Sequence, residues 1–310
     1  MPRTLPLLCL LFVLGPHDLI SQTYYEYTSQ ANELYQAKKY QESSKAWDLA
    51  FKAHHGFSSD YYNSACTNAL AGNNDKAFDH LEKAIKNGWN DIEWMKKDSD
   101  FASLKTSEKW SDFIKHIPEL RQGYLNSLNM QMKQKLENLR MQDQTIRYLL
   151  PDAEKRFGRE SDAYKWFRSE LMTRNDSVVL NRITDIIEKN GWMGISEVGV
   201  LANQTFWLVI QHAPLDVQKK YLPVLEHSVR NGESKAEYLA FLQDRVLMRE
   251  GKKQLYGTQS RWDKKIKKNV IWSITDYKTV NQRRAQVGLG SIEDYAKDNG
   301  YLYDIQLQDN

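Results

Sequence analysis

The sequence predicts a mainly α-helical protein, with helical hairpins in its first third and a helical C-terminal domain that carries one small β-hairpin. Two observations predict this fold. The first third repeats at the period of a helical hairpin, and most of the remaining chain has apolar residues three or four positions apart. With 310 residues, 41% of them hydrophobic and 27% charged, the chain has room for two buried cores and is not disordered.

The start of the chain has the pattern of a cleaved signal peptide over residues 1–21. Arg3 precedes an apolar run, Leu5–Leu14, which is too short to span a bilayer and is broken by Gly15 and Pro16. We therefore expect an exported bacterial protein, periplasmic or secreted, with no stable membrane span and no nucleic-acid partner. Once these residues are removed, Cys66 is the only cysteine, which excludes an intramolecular disulfide.

Residues 24–90 contain two stretches that match at a spacing of 34 residues. Small side chains occupy positions at which paired helices approach closely, and large ones fill the space between them. This pattern resembles the tetratricopeptide repeat, and the resemblance implies a protein or peptide partner. Residues 91–117 are predicted to cap the array, so the first domain spans 22–117. The matching positions are Tyr27, Ala31, Ser43, Trp47 and Ala50, followed by Tyr61, Ala65, Ala77, Leu81 and Ala84.

The second domain, residues 118–310, is predicted to begin after Pro118 with one long helix that Pro151 ends. Shorter helices follow, each closed by glycine or proline, and Ser234 with Glu237 has the spacing of a capping box. Two alternating segments are predicted to pair as a hairpin. The predicted helices are 119–150, 176–190, 196–213, 216–231 and 234–251, and the predicted strands are 254–258 and 270–274.

The most informative block of the sequence is residues 251–259, which follow a helix rich in apolar residues. Gln254, Tyr256, Thr258 and Gln259 supply hydrogen-bond donors and acceptors around one glycine but no nucleophile. Such a set suits the binding of a polar group better than acid–base chemistry. We expect these four side chains to form one wall of a ligand-binding pocket.

Two residues are candidates for catalysis. His212 lies at the C-terminal end of an apolar helix, where a protonated imidazole is favoured, so it can act as a general acid or base or can bond a carbonyl. Asp244 lies in another apolar helix, where a buried charge must be paired, and Arg283 and Arg284 are its expected partners. A structural ion pair and a functional site remain equally open for this group. The further expected ligand-binding residues are Gln211, Arg245, Arg283 and Arg284.

An ordered series of motifs over residues 125–300 resembles an uncharacterised bacterial domain family with Q-H-A, D-R and Q-x-Y-G-T-Q blocks. That family has Asp after the His-Ala pair, whereas this chain has Pro214 and places Asp216 two residues later. The resemblance implies no particular activity. The matching segments are 143–144, Arg147, 191–192, 207–213, 244–246, 254–259, 283–285, 288–289 and Tyr295.

Several classes of site have no support in the sequence. No two histidines lie three or four residues apart, and P-loop, dinucleotide-binding and G-x-S-x-G motifs do not occur, so we expect no metal and no cofactor. Between Arg249 and Lys268, eight bases and two acids leave a local excess of positive charge. This excess is typical of a solvated surface, but it also suits an anionic or polar envelope ligand.

Two functions remain open, and the sequence does not decide whether the protein is an enzyme. The first is a binding protein in which a tetratricopeptide interaction module is joined to a helical domain with a polar ligand- or protein-binding pocket. The alternative is an envelope hydrolase of a polar or glycan substrate, with His212 as its general acid or base.

Overall fold

The computed structural model describes residues 16–308, with side chains from residue 23 onward. Residues 1–15 of the predicted signal peptide lie outside the described residues. The described chain is mainly helical and has one small antiparallel sheet of two strands, which confirms the predicted fold class. Within residues 16–308, no helix is both long and apolar enough to cross a membrane.

The first four helices form two helical hairpins packed side by side. The hairpins turn at residues 37–39 and 71–73. The small repeat residues are buried at the helix contacts, and the larger Trp47 and Leu81 are fully buried between the helices. Burial at the same positions of both hairpins explains the sequence repeat. The helices are α1 (Pro16–Gln36), α2 (Tyr40–Ala53), α3 (Ser58–Leu70) and α4 (Asn74–Lys86).

Three further helices close the second hairpin. Their buried Met95, Leu104 and Phe113 share one apolar cluster with α3 and α4, and Phe101 joins it from the short 3-10 helix Ser99–Phe101. The side chain of Asp91 begins the first of them by accepting the N–H of Trp94. Residues 91–117 therefore cover an apolar face that two hairpins alone would expose. These helices are α5 (Ile92–Lys97), α6 (Ala102–Lys105) and α7 (Glu108–Ser127).

The helix boundaries predicted at two prolines are wrong. Pro118 lies inside α7, and Pro151 lies inside the next helix, which runs over Met130–Phe157. Both prolines are exposed, so the carbonyl that loses its partner can bond water instead. The break falls at Leu128, whose backbone is extended, and the Asn129 side chain then caps the new helix. The predicted start of the second domain therefore falls within a continuous helix.

Seven helices build the core of the C-terminal half. The central one, α12, is buried over most of its length and packs against α8, α10 and α13. Leu136, Ile183, Phe206, Leu225 and Leu242 lie in the same apolar cluster. A π-helical turn at Trp166–Leu171 joins α9 to α10. The helices are α8 (Met130–Phe157), α9 (Asp162–Lys165), α10 (Met172–Asn190), α11 (Ile195–Val198), α12 (Val200–Ile210), α13 (Leu215–Arg230) and α14 (Ala236–Arg249).

Two details of this core differ from the prediction. The helix expected over 196–213 is split at Gly199, whose φ of +82° is in the left-handed region that other residues avoid. The predicted capping box at Ser234 does not form. Its hydroxyl is buried against Asn203 and Ser228, so α14 begins after Lys235 instead.

The C-terminal segment contains the sheet and two short helices. The hairpin exists, but its first strand begins at Ser260 and not at Gln254, because residues 255–258 bond elsewhere, as described below. Its second strand extends the sheet through a bridge from Val270 to Leu302. The elements are β1 (Ser260–Asp263), β2 (Lys268–Ile271), α15 (Val280–Ala285) and α16 (Ile292–Asp298).

Tyr25 on α1 joins the two halves of the chain. Its ring packs against the apolar cluster of the first hairpin and against that of the C-terminal half. Its hydroxyl accepts the N–H of Ala236, the first residue of α14, at 3.3 Å. A second link joins Gln286 to Glu26 at 3.1 Å. The helical hairpins therefore pack directly on the C-terminal domain.

We predict that His80 makes the stability of the N-terminal half depend on pH. Its side chain is buried beside the Ser64 hydroxyl, and burial lowers its pKa from 6.5 to about 4. The folded state therefore resists protonation, so stability is complete above pH 6.5 and is lost as pH falls towards 4. The loss reaches about 3 kcal/mol at the acid end of this window.

The measurement is urea unfolding of the wild type and of His80→Gln at a series of pH values. We expect a smaller loss of unfolding free energy between pH 6.5 and pH 4 in the variant. His227→Gln, a change at an exposed histidine, serves as the control and should follow the wild type. Parallel curves for wild type and His80→Gln would contradict the prediction.

Candidate functional site

Asp244 is fully buried on α14 and is surrounded by hydrogen-bond donors. Its carboxylate accepts the backbone N–H groups of Leu255, Tyr256 and Thr258 at 2.7–3.2 Å and the Thr258 hydroxyl at 2.9 Å. Burial raises the pKa of Asp244, and these hydrogen bonds act in the opposite direction. The carboxylate thus holds the chain after α14 in a tight turn. This arrangement is structural, because every donor comes from the protein itself.

The arginines expected to pair with Asp244 bond backbone carbonyls instead. Arg284 is buried and donates to Gly290 and Tyr256, both at 2.6 Å. Arg283 donates to the carbonyl of Leu255 at 3.0 Å. Neither forms an ion pair with Asp244 among the described residues, so the expected pairing is corrected. The backbone N–H groups of residues 255–258 thus bond the Asp244 carboxylate. The carbonyls of Leu255 and Tyr256 bond the guanidinium groups of Arg283 and Arg284.

The block at residues 254–259 is likewise bonded internally. The Gln254 side chain, fully buried, donates to the carbonyls of Gln259 and Trp272 and accepts the N–H of Gln259. The Gln259 amide donates to the Thr258 hydroxyl at 3.0 Å. Gly257 allows close packing, since a Cβ there would lie 2.5 Å from Ile292.

The expectation of a pocket wall in this block is therefore corrected. Gln254, Thr258 and Gln259 use their polar atoms to hold one another and the segment. Burial raises the pKa of Tyr256 to about 12, so this phenol stays neutral. None of these four side chains lines the cavity that contains His212.

His212 lies in a different place, in the turn after α12, and lines a cavity of about 420 Å³. Five structural elements contribute to its wall: α8, α10, the end of α12, the turn between α12 and α13, and the end of α14. The histidine side chain is 21% exposed. Its position at the junction of these elements makes it accessible to a ligand. The cavity is lined by Asp143, Thr173, Asp176, Ser177, Leu180, Asn181, Val209, His212, Ala213, Pro214 and Arg249.

A chain of charged groups crosses the wall of this cavity. The buried Asp143 carboxylate lies 3.5 Å from Nδ1 of His212 and 3.3 Å from Arg147. Arg147 also bonds Asp176 at 2.9 Å. Gln144 donates to the second oxygen of Asp143 at 2.6 Å. Arg147 therefore contacts two carboxylates, and His212 lies at one end of this series of charged groups.

Two polar atoms in this group have hydrogen-bonding capacity that the protein does not use. Nδ1 of His212 and one carboxylate oxygen of Asp176 are buried and have no hydrogen-bond partner. Buried polar atoms are rarely left unpaired, so each one calls for an explanation, and a bound ligand is one such explanation. Nδ1 of His212 faces the Asp143 carboxylate at 3.5 Å without forming a hydrogen bond, so Nε2 is the ring nitrogen left for a ligand. The arrangement can bind a polar ligand and exchange a proton with it.

The remaining candidates, Gln211 and Arg245, lie behind the cavity wall. The Gln211 carbonyl accepts the side chains of Gln218 at 2.6 Å and Arg245 at 3.3 Å. Burial lowers the pKa of Arg245, and nearby Arg249 lowers it further. Arg249 donates to the carbonyl of Ala213 at 2.7 Å. These contacts hold the turn that carries His212, and neither Gln211 nor Arg245 lines the cavity.

The structure places His212 beside Asp143, which the sequence analysis names among the family motifs but not as a site residue, and places Asp176 in the wall of the same cavity. The signal for Asp143 was present, because it continues the apolar stripe of α8 after Leu136 and Leu139. An acid in a buried stripe must be paired, and Arg147 lies four residues further along the same helix face. Asp176 carries no comparable signal, since it lies among polar residues at the start of α10.

A second group of side chains has the spacing of a metal site. Cys66, Asp98 and Asp100 each place one ligand atom within 4.8 Å of the others. However, Cys66 is buried, and burial together with Asp98 raises the pKa of its thiol. The Tyr62 hydroxyl donates to Asp98 at 2.7 Å and so occupies part of that carboxylate. Metal binding requires a thiolate, so this environment disfavours it.

Comparison with known proteins identifies one family. A model of a family of unknown function (DUF6624) matches residues 130–307, more than half of the chain. The match covers α8 to α16 and hence both the Asp244 network and the His212 cavity. No curated protein matches the chain, and no solved structure matches it either.

We predict that Asp244→Asn destabilises the protein by about 2–4 kcal/mol. The substitution replaces one carboxylate oxygen by an NH₂ group, which must then face an N–H donor of Leu255 or Thr258. The measurement is the free energy of unfolding in urea. Asp263→Asn is the matched control, because that carboxylate also accepts two backbone N–H groups but lies in an exposed turn. A loss no larger than that of Asp263→Asn would contradict the structural role.

Proposed function

Since the chain belongs to the DUF6624 family, whose function is unknown, we propose its function from its own cavity. The C-terminal domain binds a small polar ligand beside His212, and the helical hairpins act as a tetratricopeptide-like module for a protein or peptide partner. The observation that carries the proposal is the convergence of His212, Asp143 and Asp176 on one cavity, with polar atoms that the protein leaves unpaired.

The cavity lining indicates the chemistry of the ligand. Thr173, Ser177 and Asn181 follow one another at four-residue spacing on α10, so their polar groups form one row along the wall. Leu180 and Val209 supply apolar surface. Carboxylate and carbonyl oxygens favour a ligand with N–H or O–H donors. A volume of about 420 Å³ suits a sugar unit or a short peptide.

A second candidate function is hydrolysis, and the His212–Asp143 contact favours it. A carboxylate behind Nδ1 orients an imidazole, as in many hydrolytic sites, and leaves Nε2 to take a proton from an attacking water. The same nitrogen can return that proton to the leaving group. We propose that such a substrate would be a polar or glycan component of the cell envelope. Asp244 has no part in this chemistry, because its oxygens are occupied by backbone donors.

The envelope location is part of the proposal and rests on the leader pattern in residues 1–21. A ligand from the cell wall agrees with that location and with the size and polarity of the cavity. The repeats would place this domain beside a partner protein. The burial of equivalent small residues in the two hairpins supports this tetratricopeptide-like role.

We predict that His212→Gln and Asp143→Asn weaken binding of envelope fragments by about tenfold to a hundredfold, the usual effect of losing one hydrogen bond to a charged group. The measurement is calorimetric titration with a panel of short cell-wall glycans and peptides. His227→Gln is the control, because that exposed histidine bonds only Asn231 among the described residues. If all three variants bound every fragment like the wild type, the cavity would not be the site.

Turnover distinguishes the two candidate functions. Under the hydrolase alternative, fragments that bind are cleaved, and His212→Gln abolishes cleavage while Asp143→Asn slows it by at least tenfold. Product analysis by mass spectrometry measures this directly. Binding without cleavage by the folded wild type would leave the binding function and reject the hydrolase.

A further inference from the structure

The β-hairpin at residues 260–271 carries a concentrated positive charge. It contains Arg261, Lys264, Lys265, Lys267 and Lys268 against the single acid Asp263, a net charge of +4 in twelve residues. The whole chain has a net charge of only +3. The hairpin is therefore more basic than the rest of the molecule by a wide margin.

The four lysines of the hairpin have no acidic partner among the described residues, and all are exposed. The Asp263 carboxylate is used inside the turn, where it accepts the N–H groups of Lys265 and Ile266 at 2.8 and 3.0 Å. Arg261 lies over the Trp272 ring at 4.9 Å. The positive charge is thus presented to the outside and is not neutralised within the hairpin.

The same hairpin exposes two large apolar side chains. Trp262 is 58% exposed on β1, and Ile266 is 39% exposed in the turn between the strands. Trp94 and Trp166 are exposed to a similar degree elsewhere, but Trp262 and Ile266 alternate in sequence with lysines that have no acidic partner among the described residues. Tryptophan is the side chain that most favours the boundary between water and lipid, since its ring is apolar and its N–H is polar.

The base of the hairpin is fixed to the domain while its turn extends from it. The Ile271 N–H donates to Leu302, and the Leu302 N–H donates to Asn269. On the other side of the base, Gln254 pairs with Ile274. The hydrogen bonds of residues 264–267 are all local to the turn. The hairpin is therefore bonded to the domain at its base, and residues 264–267 are bonded only within the turn.

We propose that this hairpin binds the surface of an anionic phospholipid bilayer. Its lysines contact the headgroups, and Trp262 and Ile266 insert at the level of the headgroup–acyl boundary. Charge complementarity selects a negative surface, and the two exposed apolar side chains select a bilayer over a soluble polyanion. This peripheral attachment lies outside the His212 cavity and does not depend on its ligand.

The test is co-sedimentation with vesicles of phosphatidylcholine alone or mixed with phosphatidylglycerol. The protein begins at residue 22, because the apolar run Leu5–Leu14 would bind vesicles by itself, whereas the described core begins at Tyr24. We expect binding to the mixed vesicles only, weakened by added salt. The double variant Lys264→Gln, Lys265→Gln should lower the partition coefficient by roughly thirtyfold. Trp262→Ser should lower it several-fold.

The matched control is Lys38→Gln with Lys39→Gln, a second pair of exposed adjacent lysines in a turn. It changes the net charge equally, so it should bind like the wild type. Thermal unfolding checks that each variant is folded. Three outcomes would overturn the proposal: no binding to the mixed vesicles, an equal loss in the control, or unchanged vesicle binding by the Lys264→Gln, Lys265→Gln variant.

Discussion

The buried carboxylate of Asp244 is the interaction on which the C-terminal domain depends. A charge removed from water must be compensated, and here three backbone N–H groups and one hydroxyl do so. The segment that supplies them cannot also pair as a strand. The chain therefore turns around the carboxylate, is held from the other side by Arg284, and enters its hairpin only at Ser260. The position of the basic hairpin follows from this one contact.

Asp143 is a second buried carboxylate whose charge must be compensated, but its partners are of a different kind. It is equally buried, but its partners are the side chains of Gln144 and Arg147 and the ring of His212. Side chains can be shared, so Arg147 also serves Asp176, and some bonding capacity remains unused at the cavity wall. A carboxylate bonded by backbone groups stabilises a turn. One bonded by side chains at a cavity can also orient a reactive group, and this contrast supports our choice of the functional site.

Much of the architecture could be predicted because helices leave a periodic pattern that depends on neighbouring residues alone. The two N-terminal hairpins follow from small residues such as Ala31 and Ala65 at equivalent positions. Prolines were misleading as boundaries, because Pro118 and Pro151 are on exposed faces where a helix can tolerate the lost hydrogen bond. The polar block makes its hydrogen bonds within the domain, and the sequence pattern did not specify those partners.

The sequence by itself determined the helical class, the order of the hairpins and the presence of buried charges, because composition and periodicity are local properties of the chain. Only the tertiary structure decided which buried charge is structural and which lies at a cavity. Asp143 and His212 are about seventy positions apart in the sequence, and their contact arises from the packing of α8 against α12. Such contacts depend on how helices are arranged in space, and no local pattern specifies that arrangement.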